Sequence, residues 1–141
     1  MSNIESKDKN LLGIAEVKIL YAHVKNNLMA NMRKLGYANL APDFKSSVTV
    51  SLSPDQGAMY IPLFYNKETG NYIHLLVMKS AKLVKSTVIL LEPDKVWYQG
   101  GKPLDQYYSM DGQISYYNSS GIFRQTFRVV KGLVAADVNV I

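Results

Sequence analysis

Few residues in this chain combine the type and the spacing that catalysis or metal binding requires. The two histidines, His23 and His74, have no acidic or histidine neighbour at the spacing of metal ligands. A metal site would have to recruit Asp94, Asp105 or Asp111 from predicted turns, and no pattern indicates that these carboxylates converge. We therefore predict neither a metal nor a cofactor.

Motifs for nucleophilic attack and for phosphate binding are missing as well. No serine is flanked by the glycines of a nucleophile elbow. The tripeptide Gly100-Gly101-Lys102 lacks the spacer and the hydroxyl residue of a phosphate-binding loop. Most acids fall in the polar N-terminus or in predicted turns, so no two carboxylates are predicted to face each other. The chain also has no cysteine. The sequence favours a protein that is not an enzyme.

Tyrosine is the residue type that points towards a function. The chain has 10 tyrosines, and the tyrosine ring is a flat apolar body with a polar tip that suits both protein interfaces and base stacking. The candidate surface for a protein partner or a nucleic acid comprises Tyr107, Tyr108, Tyr116, Tyr117, Arg124, Arg128, Lys82 and Lys85. In this set, alternation places Arg124 and Arg128 on the same side of a predicted strand. The competing interpretation, which we favour for most of these tyrosines, is that they pair across strands as structural aromatics.

The charge pattern is compatible with a polyanionic partner but does not require one. The net charge is +5, and the stretches 17–42, 69–91 and 112–136 contain lysine or arginine but no acid. Clustered cations attract nucleic acid, although the same charges also keep a surface solvated, and we favour this second interpretation. Residues 1–10 lack the apolar core of a signal peptide, and no stretch has the length and apolarity of a membrane span. With no cysteine in the chain, we expect a cytoplasmic protein.

Residues 11–36 have the period of one long amphipathic helix. Apolar residues recur every three or four positions along most of this stretch, and Gly36 is well placed to end the helix. The apolar stripe either packs on the protein's own sheet, the interpretation we favour, or forms a seam between copies of the chain. The candidate seam comprises Val24, Leu28, Asn31 and Leu35, in which Asn31 would fix the register.

Residues 47–141 change to a period of two, which predicts antiparallel strands. We predict strands at 48–53, 59–65, 72–78, 83–91 and 96–99, and a meander at 105–140 in which four strands could fit. The loop 66–71 has the turn residues of a hairpin, and Asp111-Gly112 is predicted to form a type I′ turn between two strands. Pro62 cannot donate to a ladder and indicates a sheet edge or a bulge.

These patterns predict an α+β fold in a single domain, 1–141, in which a polar lead-in precedes one long N-terminal helix packed on a curled antiparallel sheet. The sheet should have about seven or eight strands and form a roll or barrel, because both faces of the predicted hairpin at 59–78 are apolar and need a cover. The helix would cover one face. A second sheet, closure of the barrel or another subunit would cover the other.

The function that these observations favour is that of a non-enzymatic binding or assembly protein. It would be a small accessory or structural subunit that forms an oligomer and acts through a tyrosine-rich β surface. The alternative is a single-stranded nucleic-acid-binding protein that uses a basic, aromatic sheet. A small-molecule pocket between helix and sheet is a third hypothesis, because a fold does not fix a function.

Overall fold

The computed structural model describes residues 12–81 and 83–137, with the side chain of Asp137 left out. One long helix, α1, is followed by seven strands, with short helical turns before β1 and between β4 and β5. The elements are α1 (Ile14–Lys34), a 3₁₀ turn (Phe44–Ser46), β1 (Val48–Ser53), β2 (Gln56–Tyr65), β3 (Tyr72–Ser80), β4 (Leu83–Pro93), α2 (Lys95–Tyr98), a second 3₁₀ turn (Leu104–Ser109), β5 (Gly112–Asn118), β6 (Phe123–Val130) and β7 (Leu133–Asp137).

The strands form a single antiparallel sheet in chain order, β1-β2-β3-β4-β5-β6-β7. This confirms the α+β class, the long N-terminal helix and the number of strands. The sheet is open and only slightly curled, so the roll or barrel that we predicted does not form. The reason is that β1 and β7 remain at opposite edges and do not pair with each other.

Helix α1 lies on one face of the sheet and forms the main core with it. It buries Val17, Tyr21, Leu28 and Met32, which pack with apolar side chains of β2, β3, β4 and β5. Burying a side chain of this size contributes about 2 kcal/mol. The helix is shorter than the predicted 11–36. It ends where Gly36 adopts a positive φ of 92°, the left-handed conformation that commonly follows a helix.

The β2–β3 hairpin forms as predicted. The Asn66 side chain accepts hydrogen bonds from the main-chain N–H groups of Glu68 and Thr69 at 2.8 and 3.2 Å, and Gly70 has a φ of 80°. The expected irregularity at Pro62 is also present, because the β2–β3 register shifts between Pro62 and Phe64.

The chain between β4 and β5 differs from the prediction. The expected strand 96–99 is largely the helical turn α2, in which the main-chain N–H of Tyr98 donates to the Asp94 carbonyl at 3.0 Å. The Asp111-Gly112 turn is absent, since Gly112 begins β5 and a Cβ there would lie 2.3 Å from the Glu92 carbonyl oxygen. This glycine permits close approach of two strands. After residue 105 the described part of the chain forms three strands rather than four.

Candidate interaction surface

The two faces of the sheet differ in how they are covered. Strand register places one set of side chains under α1 and the alternate set on the opposite side, which we call the open face. The open face includes Val48, Val50, Ala58, Tyr60, Pro62, Tyr65, Tyr72, His74, Leu76, Met78, Lys85, Thr87, Ile89, Leu91, Ile114, Tyr116, Gln125, Phe127 and Val129.

Residues 94–111, the covering segment, pack on one end of the open face. Its side chains Trp97, Tyr98, Tyr107 and Met110 form a second core with open-face residues of β3 to β6. The two ends of the segment are closed by a hydrogen bond of 2.7 Å from the Asp94 N–H to the Asp111 carbonyl. These contacts give the open face a partial second cover, made by the chain itself.

Three tyrosine hydroxyls attach the covering segment to the β2–β3 loop. Tyr107 donates to the Gly70 carbonyl at 2.6 Å, and Tyr98 donates to the Lys67 carbonyl at 2.6 Å. The hydroxyls of Tyr65 and Tyr98 lie 2.7 Å apart. The hydrogen bond with Tyr65 raises the pKa of Tyr98 to about 12, and burial raises the pKa of Tyr107. Both phenols stay protonated near neutral pH and act as structural hydrogen-bond donors.

The Asp94 carboxylate joins the segment to β6. It accepts hydrogen bonds from both terminal nitrogens of Arg128, one of them at 2.7 Å. This bidentate pair holds the pKa of Asp94 below its usual range. The guanidinium of Arg128 is therefore committed to a contact within the chain.

The other end of the open face, nearest to β1, has no cover among the described residues, and we call it the bare end. Its members Val48, Val50, Tyr60 and Met78 are between 36% and 56% exposed, which is high for apolar side chains of one sheet face. Beside them a groove of about 300 Å³ is lined by Leu52, Gln56, Gly57, Met78, Lys79, Ser80, Leu83 and Lys85. The bare end is thus a mainly apolar surface with lysines at its border.

His74 lies between the bare end and the covering segment. Its ring centroid is 5.4 Å from that of Tyr60 and 5.1 Å from that of Tyr72. Nδ1 is buried without a hydrogen-bond partner, and burial lowers the pKa of His74 to about 4. The imidazole is therefore neutral at neutral pH, and it belongs to the packed aromatic row rather than to a metal or acid–base site.

The predicted surface residues do not form one site. Tyr107 and Tyr117 are buried, the first by the covering segment's own core and the second under α1, so both are core residues and not parts of an exposed surface. Tyr116 is half-buried on the open face and its ring contacts Phe127, while Tyr108 is 81% exposed.

The predicted cations in the described part of the chain also have different surroundings. Arg124 is exposed at the start of β6, Lys85 borders the groove, and Arg128 pairs with Asp94. Lys82 lies outside the described residues. Tyr108 is at the other end of the sheet from Arg124 and Lys85, because its carbonyl contacts Gly132 in the β6–β7 turn.

The helix seam packs within the chain. Leu28 is fully buried in the main core, Val24 is half-buried and Leu35 is 50% exposed. The Asn31 side chain donates a hydrogen bond of 2.8 Å to the Ser120 carbonyl in the β5–β6 turn. Asn31 therefore fixes the helix against its own sheet, as the intramolecular interpretation requires.

Sequence reasoning missed Val50, Leu52, Tyr60 and Met78 as surface residues. The sequence does contain a signal for this surface, because β1 alternates apolar and hydroxyl residues and has no charged residue. Such a strand can face either solvent or a partner, and the sequence does not show which side of the sheet receives α1.

Within residues 12–81 and 83–137, no three His, Asp or Glu side chains are grouped so that they could hold a metal ion. None of the helices in this described part is long and apolar enough to cross a membrane.

Known proteins supply no assignment for this arrangement. No protein family, curated protein or solved structure matches the chain significantly.

Proposed function

We propose that this chain is a non-enzymatic binding or assembly protein that forms an oligomer and acts through the open face of its sheet. The observation that carries the proposal is the bare end, where Val48, Val50, Tyr60 and Met78 share one flat surface and all remain exposed. Contiguous apolar surface of this kind is typical of protein–protein contact sites. A sheet with two apolar faces requires two covers. Helix α1 covers one face, and residues 94–111 cover only one end of the other.

The tyrosines contribute to this surface in two ways. Tyr60, Tyr65 and Tyr116 present partly exposed rings that can pack on a partner. Tyr98 and Tyr107 use their hydroxyls to hold the covering segment in place. A rigid platform of this type loses little conformational freedom when a partner binds, which favours association.

Single-stranded nucleic-acid binding has less support from the placement of the side chains. Stacking platforms and cations would have to lie along one path, yet Tyr108 is at the other end of the sheet from Arg124 and Lys85. Arg128, a member of the predicted basic surface, is already paired with Asp94. Binding of an oligonucleotide tests this hypothesis directly.

The experiment is the mass in solution of the full chain, measured by light scattering over a range of concentrations. We expect a mass above that of the monomer and a lower mass in the variant Met78→Lys, because a charge on the bare end would have to be desolvated in the contact. The matched control is Ile19→Lys. Ile19 is an apolar residue of α1 that is 63% exposed, so this change should leave the mass unaltered.

A monodisperse monomer at every concentration would contradict the oligomer. The same measurement with a labelled oligonucleotide tests the alternative. Binding at low salt that weakens with rising salt and with Arg124→Ala would support the nucleic-acid hypothesis, whereas no binding at low salt would remove it.

A further inference from the structure

Strand β1 is an exposed edge that lacks charged or proline protection against pairing, and its register with β2 shifts between Ser51 and Ser53. Residues 48–52 are exposed and Ser53 is half-buried, and Val48–Ser53 contains no charged residue, proline or glycine. Natural edge strands generally carry a lysine, a proline or a covering element that prevents another chain from adding to them. In the part of the chain that is described, β1 makes main-chain ladder bonds to β2 alone. Its outer side can therefore accept a strand.

We infer that β1 pairs antiparallel with β1 of a second copy of this chain. The two copies are related by a two-fold axis that passes between their Val50 residues. The inference deepens the proposed assembly function and rests on it, since it names the edge at which copies meet. An isologous contact of this kind is closed, because each copy uses the same strand.

The residue pattern of β1 selects this register. Centring the axis on Val50 places Val50 opposite Val50, Val48 opposite Leu52 and Thr49 opposite Ser51. Opposed residues of antiparallel strands lie on the same face, so apolar residues meet apolar residues and hydroxyls meet hydroxyls. A shift of one residue would place Val50 opposite Ser51, and a shift of two would leave Leu52 opposite Ser46 or Val48 opposite Pro54, so the register centred on Val50 matches the most pairs.

The charges that flank β1 are complementary in the same register. Lys45 and Asp55 are equally far along the chain from Val50, on opposite sides of it. Both are exposed. The two-fold axis therefore places the end of β1 that follows Lys45 beside the end that precedes Asp55 of the other copy, and no charged residues are opposed within β1.

The pairing also extends the bare end. Leu52 lines the groove together with Met78 and Lys85 of the open face, so apolar side chains reach from the groove to the edge. A two-fold axis perpendicular to the sheet keeps both copies of α1 on one side. It joins the two bare ends into one wider platform on the other side.

A single introduced cysteine tests the register, because the chain has no thiol of its own. In Val50→Cys the two thiols face each other across the axis, where opposed Cα atoms of antiparallel strands are about 4.5–5.5 Å apart, within disulfide range. We expect a disulfide-linked dimer under mild oxidation of the full chain. The matched control Thr49→Cys should remain unlinked. Each introduced cysteine lies opposite Ser51 of the other copy, and the two cysteines are diagonal neighbours about 7–8 Å apart.

A charge at the axis provides a second test. Val50→Lys should shift the dimer to the monomer mass, because it places two ammonium groups opposite each other. The control Val134→Lys changes an exposed valine of the other edge strand, β7, and should retain the dimer.

The outcomes separate this inference from the function proposed above. If the mass exceeds the monomer and falls with Met78→Lys, while Val50→Cys does not cross-link, assembly uses the open face without the edge and the β1 contact is wrong. Cross-linking only in a Val50→Cys and Val134→Cys double variant would indicate an open-ended β1–β7 contact, and it would also overturn the inference. A monomer under all conditions would reject both.

Discussion

The imidazole of His74 shows how a single buried residue can make stability depend on pH. Its pKa is about 4 in the folded chain because burial disfavours the charged form, against an ordinary value of 6.5. A group whose pKa is lowered by folding binds fewer protons in the folded state than in the unfolded state. The free energy of unfolding therefore falls as the pH decreases from about 6.5 to about 4, and the contribution of His74 changes little outside this window.

We expect His74→Phe to remove this dependence. The wild-type chain should lose about 3 kcal/mol more than the variant between pH 7 and pH 4, since one pKa unit corresponds to about 1.4 kcal/mol. Urea unfolding of both proteins at the two pH values measures the difference, and all other titrating groups cancel in the comparison. Equal losses in the two proteins would show that folding does not lower the pKa of His74.

Gly132 illustrates a different constraint at the residue scale, that of space. Its φ is 78°, and a Cβ there would lie 1.7 Å from the Tyr108 carbonyl oxygen. Gly36 also has a positive φ, of 92°, but a Cβ at that position would meet nothing within 4 Å. The two glycines therefore separate the cost of the left-handed conformation from the cost of a steric clash.

We predict that Gly36→Ala lowers the free energy of unfolding by about 1 kcal/mol, the cost of a left-handed alanine. Gly132→Ala should lower it by about 3 kcal/mol or more, because the backbone of residues 108 and 132 must also separate. Chemical denaturation of the two variants gives both values. Equal costs would mean that the close contact with Tyr108 does not persist in solution.

At the scale of elements, α1 packs on the protein's own sheet and forms the main core with it. Leu28 is fully buried in the main core, whereas Leu35 is half exposed beyond the last helical turn. We expect Leu28→Ala to lower the free energy of unfolding by about 3 kcal/mol through lost burial and a cavity. Leu35→Ala should cost less than about 0.5 kcal/mol.

The mass in solution of the same two variants gives a further expectation. Neither Leu28→Ala nor Leu35→Ala should change the mass of the folded chain, because neither residue belongs to the open face or to β1. A shift to the monomer mass in Leu35→Ala, with the stability intact, would instead indicate that the helix seam joins two copies.

The regular elements were largely predictable because each has a period that follows from its own geometry. Three- and four-residue spacing gives α1, alternation gives β1 with its observed bounds, and loop 66–71 has turn residues. The covering segment was mispredicted, since α2 depends on tertiary contacts of Trp97 and Tyr98 with Tyr107 and Gly70. Such contacts leave no local pattern. Asp111-Gly112 carried a turn signal, yet its glycine is required by the close approach of β4.

The candidate site was less predictable than the fold for a related reason. Alternation assigns residues to two faces but does not show which face receives the helix. Tyr116 and Tyr117 are adjacent in sequence and end on opposite faces, one half-buried and one in the core. The pairing of Arg128 with Asp94 connects residues far apart in the chain, and composition alone does not reveal it.

For the molecule as a whole, the arrangement of covers determines which surface is available. α1 occupies one side of the sheet, and residues 94–111 occupy one end of the other side. The bare end and the β1 edge adjoin each other through Leu52 and Val50. A partner on the open face and a second copy at the edge can therefore bind at the same time, and edge pairing would present two adjacent copies of the platform.

The strand order also determines the course of folding. Every pair of neighbouring strands is consecutive in the chain, so most pairings close short loops and can form early. The exception is the pair β4 and β5, because the longer segment 94–111 separates these two strands in the chain. Of the links between paired strands, 94–111 is the longest, so joining β4 to β5 carries the greatest loop-closure entropy. We therefore expect the residues that cover one end of the open face to slow this pairing more than any other in the sheet.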